Sequence, residues 1–147
     1  MVGELSQEEC IRVLSENSLG RLASQADGEV YLIPLGFAWD GQRPVFETSM
    51  GKKIEMMRSN PRVCFQTDQI VSATEWKSVI VFGTFTELGD AEKPAAARLL
   101  IDKISSDLDE EGRSPRDVTP DKVGGRYEGV MFVIDGERIT GRFERPE

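Results

Sequence analysis

Alternating apolar residues, punctuated by tight-turn dipeptides and few helical stretches, predict a mainly β protein: a small antiparallel barrel of six strands with two or three flanking helices. Three observations carry this reading. Asp27-Gly28 and Asp40-Gly41 are two-residue hairpin signals between strand-like runs. The run 76–88 alternates for long enough to bend around a barrel, with Gly83 as the place for a kink or bulge. Helical spacing is confined to three short stretches, and a sheet so sparsely covered must hide its edges by closure or by pairing with a second subunit. A homodimer is expected.

In order along the chain, Ser6-Gln7-Glu8-Glu9 has the form of a capping box, with Leu5 and Cys10 at the staple positions, so a first helix is predicted over 7–16. Cys10 then reads as a packing residue. From Leu19 the period becomes that of a strand: 19–26, the Asp27-Gly28 turn, the long run 30–39, the Asp40-Gly41 turn and 44–49 predict a three-stranded meander. Residues 52–59 form a short helix with Ile54 and Met57 inward, ended at Asn60-Pro61 because a residue before proline avoids the helical region. Strands follow at 62–67 and 76–88. Another helix begins between Asp90 and Pro94, with Ala97, Leu100, Ile101 and Ile104 at helical spacing. Residues 106–125, rich in Asp, Glu, Pro and Gly, read as a solvated loop. Two more strands, 127–135 and 137–143, meet at Gly136. No repeat or composition break divides the chain, so residues 1–147 are expected to form a single domain.

Composition excludes several classes of function. With 26 acidic and 18 basic residues the formal charge is −8, which disfavours a nucleic acid or an anionic membrane as partner. There is no histidine, so Ser-His-Asp and Cys-His triads and His-ligated metal or haem sites are excluded. Two cysteines cannot build a disulfide framework or a zinc ribbon, and no metal site is expected. The opening residues show no signal-peptide pattern, and the longest apolar runs, 79–82 and 130–134, are far below the roughly 20 residues of a membrane span. The expected location is the cytoplasm.

Catalytic signatures are missing. No G-x-G-x-x-G occurs, and Gly51-Lys52-Lys53 lacks the earlier glycine and the terminal hydroxyl of a P-loop. The carboxylates between Asp107 and Glu111 read as a solvated acidic loop, and Cys64, between Val63 and Phe65, as a buried inert thiol. Three segments could bind a ligand. At 46–53, Thr48, Ser49, Gly51, Lys52 and Lys53 stand where a strand passes into a helix, whose free amides and dipole favour an anion such as a phosphate. An ordinary capped helix with both lysines in solvent, Lys52 pairing along the helix near Glu55, explains the same residues. Trp76, Lys77 and Ser78 offer a flat apolar face and donors for the carbonyl edge of an aromatic ligand, or Trp76 plugs one end of the barrel. Ile33, Pro34, Leu35 and Gly36 interrupt a strand, where something can approach the backbone or the strand simply bends.

At these segments the sequence resembles the flavin-binding split-barrel superfamily of the pyridoxamine 5′-phosphate oxidases, and within it the short nitroimidazole-resistance (Nim) type subgroup. The resemblance rests on Leu19-Gly20-Arg21-Leu22-Ala23, Ile33-Pro34-Leu35-Gly36-Phe37-Ala38-Trp39, Thr48-Ser49-Met50-Gly51-Lys52-Lys53-Ile54-Glu55, Asn60-Pro61-Arg62-Val63-Cys64-Phe65 and Trp76-Lys77-Ser78-Val79-Ile80-Val81-Phe82-Gly83. It runs in order from about 5 to 143. It implies a six-stranded antiparallel split β-barrel that holds FMN between the two subunits of a homodimer. Lys52 and Lys53 then match the basic pair that grips the phosphate, with Thr48 and Ser49 beside them. Ile33 to Gly36 match the strand whose backbone faces the isoalloxazine ring, and Ser78 a polar ring contact.

Two departures narrow what the resemblance implies. Glu47 stands where many Nim-type relatives carry histidine, which argues against histidine-dependent reduction. The ending Ile139-Thr140-Gly141-Arg142-Phe143-Glu144-Arg145 lacks the basic, histidine-containing motif of the vitamin oxidases, which argues against pyridoxamine phosphate oxidation. The expected function is therefore FMN-dependent transfer of reducing equivalents from a nicotinamide cofactor to a small electrophile such as a quinone or nitro compound. No catalytic side chain is required, because the flavin carries the redox step. The rivals are a non-catalytic flavin carrier or sensor, and a split barrel loaded with a deazaflavin or, least of all without histidine, a haem.

Overall fold

A computed structural model describes residues 1–110 and 129–147. The chain order is β1 (Val2–Glu4), α1 (Gln7–Glu16), β2 (Leu19–Ala26), β3 (Glu29–Gly36), β4 (Ala38–Trp39), β5 (Pro44–Ser49), α2 (Lys52–Ser59), β6 (Arg62–Ser72), β7 (Glu75–Glu87), α3 (Lys93–Glu110) and β8 (Gly129–Glu144). The protein is mainly β, with one antiparallel sheet ordered β3-β2-β6-β7-β8-β5-β4 and β1 paired to β8. Its first and last members, β3 and β4, are consecutive in the chain and joined through Phe37, so the sheet must curl until its ends meet. Among the described residues no ladder joins those ends, and the barrel is split.

The first two predicted helices form where expected. α1 carries the complete capping box, with the Glu9 amide donating to Ser6 Oγ and the Ser6 amide to Glu9 Oε1. Those bonds hold the Glu9 carboxyl below its usual range. α2 buries Ile54 and Met57 completely. Its end is tethered by a two-pronged bond from Arg58 to Glu87 and by Asn60 Nδ2 donating to the Gln25 carbonyl.

Four expectations about the elements are corrected. Among the described residues there are eight strands rather than six, because short β1 and β4 gain ladder partners that local patterning cannot supply. The meander is absent: β2 and β3 form the predicted hairpin, with Asp27 and Gly28 both at positive φ, but β5 pairs with β8 at the other end of the sheet. The chain breaks at Phe37, whose buried ring joins Phe46 and Phe65 in the core, and this turns β4 away from β3. The two expected final strands are one, β8, whose register against β7 shifts opposite Phe82 and Gly83. A β-carbon on Gly83 would collide with the Asp135 carbonyl, so a glycine is required at this crossing. Finally, α3 continues to Glu110, past the expected loop start at 106, because extending a formed helix costs little. Residues 111–125 of that expected loop lie outside the described residues.

Among the described residues two apolar cores result. The larger, inside the curl, gathers Phe37, Phe46, Phe65, Phe85 and Phe132 with Val13 and Leu14 of α1 and Ile54 and Met57 of α2. The second packs Ala96 and Leu100 of α3 on Ala38, Val45, Met131 and Val133. No helix among the described residues is long and apolar enough to cross a membrane.

Candidate functional site

The two termini of helices α1 and α2 contrast sharply. α1 is closed by its own side chains, whereas α2 starts at Gly51, extended at φ 170, with no side-chain cap. Among the described residues a β-carbon at Gly51 would meet nothing within 4 Å, and none of them closes the approach to the first amides of α2 there. This is the arrangement an anion can use: outward N–H groups, a positive dipole end and adjacent ammonium groups. Thr48 is buried at the end of β5, and Ser49 is exposed beside it. Glu47 is half-buried, opposite Met131.

The lysines differ from each other. Lys52 forms an ion pair with Glu29 of β3, and its ammonium lies 5.3 Å from the centre of the Tyr31 ring. That carboxylate bond raises the Lys52 pKa. Pairing therefore crosses to β3 instead of running along α2 to Glu55. Lys53 is half-buried and has no ion-pair partner among the described residues.

β3 is an edge strand, which resolves the puzzle of Pro34: no ladder partner is needed on its outer side. Ile33 and Leu35 pack against the larger core, while Pro34 and Gly36 face outward. The Thr48–Lys53 segment and β3 are thus brought together through Lys52, Glu29 and Tyr31. The third segment stands apart. β7 is three strands from β3, about 14 Å at ~4.8 Å per strand. There Trp76 donates its indole N–H to Glu144 Oε2 at 3.1 Å and lines an open cleft of about 320 Å³ with Lys77 and Phe143. Ser78 points to the outer face, where its Oγ accepts from Gln66 Nε2 at 3.0 Å. Lys77 has the opposite parity and lies close enough to help lower the Glu9 pKa.

Sequence reasoning missed Glu29, Tyr31 and Gln66. Alternation along β6 was a usable signal for Gln66, since Cys64, Gln66 and Asp68 must share the face opposite buried Val63, Phe65 and Thr67. The same parity corrects Cys64, which is half-buried on the outer face and lines a cleft of about 330 Å³. Glu29 and Tyr31 had no local signal, because only the folded sheet brings them to Lys52.

A family profile described as Pyridoxamine 5'-phosphate oxidase matches residues 6–142. An uncharacterized Rhizobium meliloti protein is 32% identical over 142 residues, covering 94% of this chain and 92% of its own length. An FAD-binding protein from Mesorhizobium loti is 33% identical, with 99% of each chain covered and a TM-score of 0.78. A candidate 5-nitroimidazole antibiotic resistance protein from Bacteroides thetaiotaomicron, 14% identical over 97% of this chain and 87% of its own, has a TM-score of 0.73 and shares the fold.

Proposed function

The chain belongs to the pyridoxamine 5'-phosphate oxidase family, and we propose that it is a flavin protein that binds FMN with the phosphate on the open start of α2. One observation carries the reading: α2 begins without a side-chain cap where Lys52 and half-buried Lys53 stand, next to edge strand β3. The FAD-binding Mesorhizobium loti protein supports a flavin and makes FAD the second reading.

In this proposal the first amides of α2, Lys53, Thr48 and Ser49 hold the phosphate, and the backbone of β3 from Ile33 to Gly36 faces the ring. Lys52 helps only to the extent that it releases Glu29. Trp76, Lys77 and Ser78, about three strand spacings away, bear on the ring most simply from a second copy of the chain. A homodimer with the flavin at its interface follows. Bound flavin supplies hydride and electron transfer. The side chains bind, orient and exclude water, in keeping with transfer from a nicotinamide cofactor to a small quinone or nitro compound, without a catalytic side chain.

The test has three parts. The freshly purified protein is expected to be yellow, and heat to release FMN, identified by mass. FAD in its place would keep the flavin reading and change the cofactor, while a deazaflavin or a colourless protein would overturn the FMN assignment. Lys53→Ala is the better variant, because Lys52 is entangled with Glu29. It is expected to weaken FMN about tenfold, the loss of one charge-assisted bond, and to leave riboflavin binding unchanged. Equal losses for the two ligands would refute the phosphate assignment. Steady oxidation of NADH or NADPH with a quinone or nitro acceptor separates an oxidoreductase from a non-catalytic carrier.

A further inference from the structure

Four polar side chains on the outer face of the sheet form one row across three strands. Arg21 lies opposite Gln66 in the β2–β6 ladder, and Asp68 opposite Ser78 in the β6–β7 ladder. Arg21 Nη1 donates to Asp68 Oδ2 at 3.4 Å, and Gln66 Nε2 donates to the same carboxylate oxygen at 2.9 Å and to Ser78 Oγ at 3.0 Å. Asn17 Nδ2 adds a bond to the Asp68 carbonyl, at 2.9 Å. Gln66, Asp68 and Ser78 are all half-buried, so the row is held in a partly dry setting.

Donor and acceptor accounting fixes the polarity of this row. An ionised Asp68 can only accept, so the amide nitrogen of Gln66, not its oxygen, must face Asp68. The second N–H of that amide serves Ser78. Because Ser78 Oγ accepts there, its own O–H remains a donor for another group. Gln66 Oε1 has no hydrogen-bond partner among the described residues. An outward donor on Ser78 and an acceptor on Gln66 stand on adjacent strands. Such a pair complements a cyclic imide edge, in which a ring carbonyl accepts and the neighbouring N–H donates.

We propose that Gln66 is a flavin-binding residue, taking the imide N3–H of the ring on Oε1 while holding Ser78 as donor to the adjacent carbonyl, with Asp68 and Arg21 fixing the amide. This rests on the reading that the ring meets Ser78. Flavins and deazaflavins share the pyrimidine edge, so the inference does not depend on which is bound. Pairing with a neutral donor is worth roughly 0.5–1.5 kcal/mol net, which is about twofold to twelvefold in affinity.

The test compares riboflavin with N3-methylriboflavin, which has no N3–H, by quenching of flavin fluorescence. Wild-type protein is expected to prefer riboflavin about fivefold or more. Gln66→Leu should lose that preference, chiefly by weakening riboflavin, and should move the visible band of the bound flavin in the same direction as Ser78→Ala. Should Gln66→Leu not fold, Gln66→Met, of similar length and without an amide, is read in the same way. A wild type that binds the two ligands equally overturns the inference with no variant needed, and so does a preference that survives in Gln66→Leu. In either case the FMN reading stands, provided Lys53→Ala still separates FMN from riboflavin. If no flavin binds wild type, both fall.

Discussion

Single side chains decide the local chemistry. Asp135 accepts from Thr86 Oγ1 at 2.7 Å and pairs with Arg43 at 3.2 Å, and the threonine bond first, then the arginine, holds its carboxyl below the usual range against partial burial. A carboxyl whose pKa is lower in the folded than in the unfolded chain stabilises the fold above its ordinary pKa. That contribution disappears as the pH falls through the depressed value. Thr86→Val is therefore expected to be less stable than wild type in urea at neutral pH and to converge with it in acid; a gap that persists in acid would show that the hydroxyl acts through packing. Residue-scale legibility was uneven. Ser6 and Glu9 announced their cap in four letters, and Cys10, buried beneath Gly141, is the packing residue expected, its thiol pKa raised by burial. The reading failed at Cys64, where two apolar neighbours suggested burial although strand parity puts the residue between them on the other face.

Elements are positioned by close approaches that side-chain periodicity does not reveal. β2 crosses the core at Gly20, where an added β-carbon would lie 2.5 Å from the Gln66 carbonyl and 2.6 Å from Cε1 of the Phe65 ring. Gly20→Ala should cost about 1–3 kcal/mol, in the manner of an overpacked core, read as a lower denaturant midpoint with an unchanged slope. A neutral result would mean that β2 can slide on β6. The same crossing carries function in the proposed reading, since the Gln66 whose backbone meets Gly20 extends its amide toward Ser78. Element boundaries were legible where a chemical signal ended them, as with α1, α2 and the Asp27-Gly28 hairpin. They were not legible where a long-range partner did: β4 exists because Ala38 and Trp39 pair with Val45 and Pro44, and β8 runs through Gly136 because β7 accompanies it across the bulge.

At the scale of the whole molecule, among the described residues, α1 and α2 pack into the core inside the curl and α3 packs on the outer face of β4, β5 and β8, which leaves the outside of β3, β2, β6 and β7 without a helix packed on it. Val30 is 72% exposed and Leu32 65%, beside Ala23 and Cys64, and Ile70 at the end of β6 is 67% exposed. Isolated exposed apolar residues mean little, but a contiguous outer face beside an open edge is the surface a second copy would cover. Leu32→Arg is expected to convert the proposed homodimer to a monomer in sedimentation experiments and to weaken flavin binding with it, if the ring lies between subunits. A variant that stays dimeric, or a monomeric one that keeps full affinity, would separate the cofactor site from the interface.

The amino-acid sequence by itself determined the fold class, the three helices, the hairpin turns and the lysine-bearing strand-to-helix junction, because each rests on contacts within a few residues: caps, turn dihedrals and side-chain period. Only the tertiary structure decided which strands are neighbours, where β3 ends, and that Glu29 meets Lys52 and Gln66 meets Ser78. Those contacts join residues 23 and 12 positions apart across ladders whose register is set by packing in the phenylalanine core. Pairing over such separations depends on what the rest of the chain buries, and no local pattern records that.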